Sequence, residues 1–115
     1  MGCASPLGIE TETVWTSLLG GVSGAAAISL FDASSFPVTI AAEVKDWSPD
    51  LAGLDDETAA RTSRQAQFAL YAAGRALRAA DLDDAAWDPL RAGVHLGCGE
   101  IFPDFTQFCR AMGTG

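Results

Sequence analysis

At 115 residues the chain is long enough for one small domain and too short for two. Hydrophobic residues make up 49% of it, which excludes a disordered chain. Its net charge is −8, from 15 acidic and 7 basic residues, which argues against nucleic acid or an anionic membrane as the main partner, because both reward clustered positive charge.

Residues 2 to 8 read as the end of a strand running into a turn, since Pro6 fixes φ and Gly8 tolerates unusual dihedrals. Thr11 to Leu19 reads as a short amphipathic helix, with Val14, Trp15, Leu18 and Leu19 on one face. Gly20-Gly21 stops it, because a glycine accepts the left-handed cap conformation. Residues 22 to 37 carry few regular signals and read as an irregular connection. Asp32, Ser34 and Ser35 offer turn caps there, and Pro37 ends the segment. Thr39 to Val44 reads as a strand, with Ile40, Ala42 and Val44 on one face. Trp47 to Leu54 is expected to be loop, marked by Ser48-Pro49 and Gly53.

The longest predicted element is a single helix over Asp56 to Ala80, rich in Ala and Arg. Ala69, Ala72, Ala73, Ala76 and Ala80 form a narrow stripe that allows a neighbour to approach closely. Gly74 costs such a helix about 1 kcal/mol relative to Ala. Close approach of a neighbour at that point is the expected reason for it. Arg61, Arg64, Arg75 and Arg78 fall in a window without Asp or Glu, so a local cationic face is expected on an acidic protein.

Asp81 to Arg91 reads as an acidic connection, and Ala92 to Leu96 as a short strand ended by Gly97-Cys98-Gly99. Pro103 opens a final helix over Asp104 to Met112. The alternation of strands and helices predicts an α/β fold, though two or three short strands supply neither the neighbours nor the cover that a central sheet needs.

Three cysteines, Cys3, Cys98 and Cys109, are an odd number without regular spacing, and the single His95 completes no zinc constellation with them. Reduced thiols in a cytoplasmic protein are the expectation, with no metal and no cofactor. No secretory signal is visible, and the longest apolar stretch falls far short of the ~20 residues that cross a bilayer.

Several segments, in order and spacing, resemble the β-ketoacyl-acyl-carrier-protein synthases. Pro6-Leu7-Gly8 is similar to the family's first turn, and Trp15 to Gly24 to its first helix and the Ser-Gly that follows. Phe31-Asp32-Ala33-Ser34-Ser35-Phe36-Pro37, with Ala42, Glu43, Val44 and Trp47, resembles a distinctive family segment. Arg61, Arg64, Gln67, Phe68, Ala69 and Ala73 resemble its long helix, and Gly93, Val94, Gly97 and Gly99 its next strand and glycine turn.

The resemblance implies a partial thiolase-like α/β fold, with residues 1–115 forming an incomplete amino-terminal domain. Family members usually work as dimers, so a homo- or heterodimer is implied for the full-length protein. They join a carrier-bound malonyl unit to an acyl chain with loss of carbon dioxide, using a nucleophilic cysteine and two histidines. Those three groups are expected beyond this chain, which by itself is expected to be inactive. Cys98 falls at a small-residue position of the glycine turn, and packing is its expected role, as it is for Cys3 and Cys109. His95 falls within the predicted strand and is read as structural.

Two pairs are candidate functional residues. The resemblance puts Arg61 and Arg64 where basic residues meet the acidic helix of an acyl carrier protein, a role that suits the guanidinium's charge-assisted bonds. It puts Glu100 and Ile101 near the acyl pocket. Glu100 departs from the usual apolar residue there, as do Ser63 and Gln65 from the family pattern. These departures leave open a specialised or non-condensing relative, and the alternatives are a non-catalytic companion subunit like the chain-length factors and, on Arg61 and Arg64, a small acyl-carrier-binding module.

Overall fold

A nine-residue helix, α1 (Thr11–Leu19), forms where the sequence predicts it. Its end is set by the two glycines. Val22 N–H donates to Ser17 O at 2.9 Å and Gly21 N–H to Leu18 O at 3.1 Å, with Gly21 at φ 64°. That is a Schellman closure, and a side chain at Gly21 would be strained in the left-handed region. The start is less usual. Glu10 precedes α1 in an extended conformation without capping it, because its carboxylate reaches the far helix instead. The chain is seen here as a computed structural model that describes residues 1–82, 88–97, 99, 109, 112 and 113.

Two strands, β1 (Ala26–Ala27) and β2 (Ile40–Ala41), pair antiparallel with Ala26 opposite Ala41 and Ala27 opposite Ile40. The connection over residues 22 to 37 is therefore not wholly irregular, since it supplies β1. β2 is shorter than the predicted strand over Thr39 to Val44, for a physical reason. The ladder runs on only to Ile28 N–H on Thr39 O at 2.9 Å. One step further, Pro37 has no N–H to give, and the N–H groups of Ser29 and Leu30 turn to the side chain of Glu43. Beyond Ala41 the backbone finds side-chain partners too, as Val44 O accepts from Arg64. The face predicted to carry Ile40, Ala42 and Val44 is not the covered one: Ile40 is exposed, and the buried residue is Glu43. Residues 2 to 8 form no strand beyond a single Ser5–Gly8 bridge that closes a turn.

The predicted long helix is two helices. α2 (Asp56–Arg61) is capped by Asp55, whose carboxylate accepts from Thr58 N–H at 2.7 Å. α3 (Arg64–Ala79) is capped by Ser63, whose hydroxyl accepts from Ala66 N–H at 3.3 Å. Thr62 and Ser63 are extended between them. Both residue types compete with helical backbone for hydrogen bonds, which makes them good caps and poor helix interiors. The segment predicted as loop after Trp47 holds a 3-10 turn at Pro49–Ala52, closed by Gly53, and this turn packs on α3.

The small-residue stripe of α3 does admit a neighbour, though not a helix or a sheet. A Cβ at Gly2 would overlap Ala72 O and crowd Ala76 N, so the amino-terminal segment lies directly on the helix. Gly74 meets only the Arg78 side chain, so no close approach explains it. Ala92 to Leu96 form no strand, and Val94 and Leu96 are exposed. Most of the predicted helix from Asp104 to Met112 lies outside the described residues.

Burial is sparse. Ala33 and Tyr71 are the buried apolar residues described, with Glu43 and Gln67 as buried polar ones. The expected apolar face of α1 is only half covered at Val14, while Trp15, Leu18 and Leu19 are exposed. The described chain is thus a partial α/β fold of short antiparallel strands and helices. Among the described residues no helix is long and apolar enough to cross a membrane.

Candidate functional site

The residues with chemical character gather where α2 turns into α3 and the chain after β2 runs beneath. Trp47 is the hub. Its indole meets Phe68 edge to face at 4.7 Å and Tyr71 at 5.5 Å, with interplanar angles of 90° and 88°. Such geometry sets the positive ring edge against the negative face. Phe68 and Tyr71 sit three apart on α3, so one helix face supplies both.

Gln67 completes this core with polar atoms. Its Oε1 accepts from Trp47 Nε1–H at 2.9 Å, and its Nε2 donates to Thr62 O at 3.0 Å and Ala59 O at 3.3 Å. A buried amide is tolerable only when its hydrogen bonds are made, and these are. Arg64 opens α3 beside it. Its guanidinium donates to Val44 O at 2.8 Å and lies 5.2 Å from the Phe68 ring centroid.

The carboxylate of Glu43 is held by the chain that follows β1. Ser29 N–H donates to Oε2 at 3.0 Å, Ser29 Oγ–H to the same oxygen at 2.7 Å, and Leu30 N–H to Oε1 at 3.3 Å. These donors favour the ionised form and hold its pKa below the usual value, the Ser29 hydroxyl first among them, with Lys45 nearby adding to the effect. A shallow cleft beside it is lined by Ser29, Glu43, Lys45, Trp47 and Arg64.

A second polar group ties α1 to α3. Tyr71 OH lies 3.1 Å from Glu10 Oε1 and 3.2 Å from Ile9 O, and Arg75 forms an ion pair with the other oxygen of Glu10. Burial first, and then the bond to Glu10, push the phenol above its ordinary pKa.

The two predicted carrier-contact arginines differ in setting. Arg61 ends α2, is exposed, and pairs with Glu57 one turn back at 3.0 Å. Arg64 is half-buried and has one nitrogen committed to Val44. The four arginines do not make one cationic face, because Arg75 and Arg61 are paired with carboxylates. Glu100, Ile101 and Cys98 lie outside the described residues. Cys3 is a half-buried free thiol near Tyr71, Cys109 is an exposed free thiol, and His95 is exposed. Among the described residues no cluster of three or more His, Cys, Asp and Glu is placed to hold a metal.

Gln67 and Glu43 fall in segments that resemble the family, and their place at the centre of hydrogen-bond networks arises only in the fold. For Gln67 the available signal is a polar side chain one turn ahead of Tyr71 on the predicted long helix. For Glu43 the signal was a carboxylate inside a predicted strand of Ile, Ala and Val.

Residues 1–111 match the family described as beta-ketoacyl synthase, N-terminal domain. A Streptomyces halstedii protein assigned to the polyketide beta-ketoacyl synthases is 44% identical over 97 residues, which cover 84% of this chain and 23% of that protein. The 3-oxoacyl-[acyl-carrier-protein] synthase 2 of Coxiella burnetii is 41% identical over 99 residues, covering 86% of this chain and 24% of that protein. The tetracenomycin polyketide synthase ketoacyl synthase alpha subunit of Streptomyces glaucescens is 37% identical over 97 residues, covering 84% and 22%. The chain thus spans about a quarter of the length of these relatives.

Proposed function

Because the chain belongs to the β-ketoacyl synthase family, with residues 1–111 matching its amino-terminal domain, we propose that it serves a condensing enzyme of fatty acid or polyketide synthesis as a non-catalytic part. Its partial α/β fold is consistent with the amino-terminal part of a thiolase-like domain. The reaction is decarboxylative condensation of an acyl thioester with a carrier-bound malonyl unit. In this proposal the nucleophilic cysteine and the two histidines come from outside residues 1–115, and the chain acts within a homo- or heterodimeric assembly. Glu100 and Ile101 are proposed to lie near the acyl pocket.

The chain's own contribution is to meet the acyl carrier protein. One observation carries this: Arg61 stands exposed at the end of a short helix, with its guanidinium held, among the described residues, by an exposed pair to Glu57. Exposed pairs of this kind are worth about 0–1 kcal/mol, so the guanidinium is readily released to a carboxylate or phosphate on a partner. Arg64 is proposed to assist from the first turn of α3. It has further N–H donors beyond the one used on Val44.

The test has two arms. The purified chain, incubated with malonyl- and acyl-carrier protein, is expected to yield no ketoacyl product; turnover by the chain alone overturns the non-catalytic assignment. Its affinity for acyl carrier protein is expected to fall about tenfold in Arg61→Glu, equivalent to about 1.4 kcal/mol. Unchanged affinity in Arg61→Glu and Arg64→Glu overturns the carrier assignment.

A further inference from the structure

We propose that Gln67 is a positioning residue for carrier docking, acting through the backbone that bears Arg61. This rests on the assignment of Arg61 as the carrier contact and adds what holds that contact in place.

Helix α2 has six residues. A helix so short does not persist by its own hydrogen bonds, since nucleation is costly and few bonds follow it. Asp55 secures its first turn. Its last turn, which carries Arg61, is closed locally by Thr62 Oγ1–H on Thr58 O at 2.7 Å and still needs an anchor from outside the segment. The Gln67 carboxamide provides one, donating to Ala59 O and to Thr62 O, the carbonyls on either side of the Ala60–Arg61 pair. Gln67 is more than nine-tenths buried, with an exposure of 7%. Its Oε1 is fixed by Trp47 Nε1–H at 2.9 Å, which orients the amide so that both N–H groups face α2.

The chemistry calls for an amide at this position. A carboxylate in the same place would face two carbonyl oxygens without a donor to offer either. An aliphatic side chain would take its donor away from Thr62 O and from Ala59 O, which also accepts from Thr62 N–H, and would leave the indole N–H without its Oε1 partner. The Arg61 side chain itself is exposed and weakly held. What sets its direction is therefore the backbone beneath it. Fixing that backbone before the partner arrives removes an ordering cost from binding.

The experiment is a double-mutant cycle read by affinity for acyl carrier protein, with amide hydrogen exchange as the second measurement. Gln67→Leu is expected to weaken carrier binding about tenfold and to speed exchange in residues 59–62 while leaving the middle of α3 protected. In the Arg61→Ala background the same Gln67 change is expected to add nothing, because its effect passes through Arg61. If Gln67→Leu does not fold, Gln67→Met keeps the length without the donors and takes its place. Faster exchange at 59–62 with unaltered affinity overturns the inference, and so do two substitutions that weaken binding independently. If Arg61→Ala alone leaves affinity unchanged, the carrier assignment fails instead.

Discussion

Trp47 and Gln67 are joined by a single hydrogen bond, indole Nε1–H to carboxamide Oε1 at 2.9 Å, across twenty residues of sequence. The bond pins the segment after β2 to the buried face of α3. Trp47→Phe removes the donor and leaves Oε1 buried without a partner, at a cost of about 1–3 kcal/mol. The expected result is a lower urea midpoint, followed by circular dichroism. Trp15→Phe is the comparison. Trp15 is 57% exposed, so its substitution is expected to stay within about 0.5 kcal/mol of the parent. Equal effects at the two positions would show that the bond to Gln67 carries no weight.

Glu43 makes stability depend on acid. Its folded pKa lies below the ordinary value of 4.5, chiefly through the Ser29 hydroxyl. A carboxylate with a depressed folded pKa stabilises the fold above its unfolded pKa, and that contribution disappears as pH falls through the folded value. Unfolding midpoints measured from neutral pH downward should therefore drop below about pH 4.5. Glu43→Gln should start lower at neutral pH and show a shallower acid slope. A slope identical to the parent's would remove Glu43 from the account.

The sequence made the long-range partners harder to read than the elements. α1 was legible to the residue, because its apolar spacing and its Gly20-Gly21 stop are both local signals. β1 was not, since Ala26-Ala27 has no alternation and becomes a strand only through Ile40 and Ala41. The ladder between β1 and β2 stops short of Pro37, because the Glu43 carboxylate takes the Leu30 N–H that would extend it there. Arg64 was readable as a cation, but its bond to Val44 arises only once β2 has delivered that carbonyl beside α3. Burial was the least legible property. The apolar face of α1 is present in sequence, yet Trp15, Leu18 and Leu19 on it remain exposed, which composition alone does not reveal.

Ser63 divides what a propensity reading joins. Ala and Arg favour one helix through residues 56 to 80, yet Ser63 is extended at φ −61°, ψ 149° and caps α3. Ser63→Ala removes the acceptor for Ala66 N–H and should cost about 1 kcal/mol, the usual worth of such a cap. It also makes a continuous helix more favourable. The expected signature is a lower unfolding midpoint with no loss of helical circular dichroism at low temperature. A midpoint equal to the parent's would mean that the corner is set by Gln67 and Arg64 alone.

Tyr71 offers a direct reading of the contact between α1 and α3, because it is the chain's one tyrosine. Its hydroxyl lies against Ile9 O and the Glu10 carboxylate, and burial together with that carboxylate raises the phenol above the ordinary 10.0. An acid whose folded pKa is raised stabilises the fold below its unfolded pKa, and this contribution fades as pH rises from about 10 toward the folded value. Spectrophotometric titration of the phenolate should therefore give a midpoint above 10.0 in the folded chain and near it in urea. Glu10→Gln removes the neighbouring negative charge and should bring the folded midpoint down, although burial still holds it above the unfolded one. Tyr71→Phe deletes both contacts and should cost about 1 kcal/mol. A folded midpoint at or below 10.0 would mean that the hydroxyl faces solvent and that Glu10 does not join the two helices in solution.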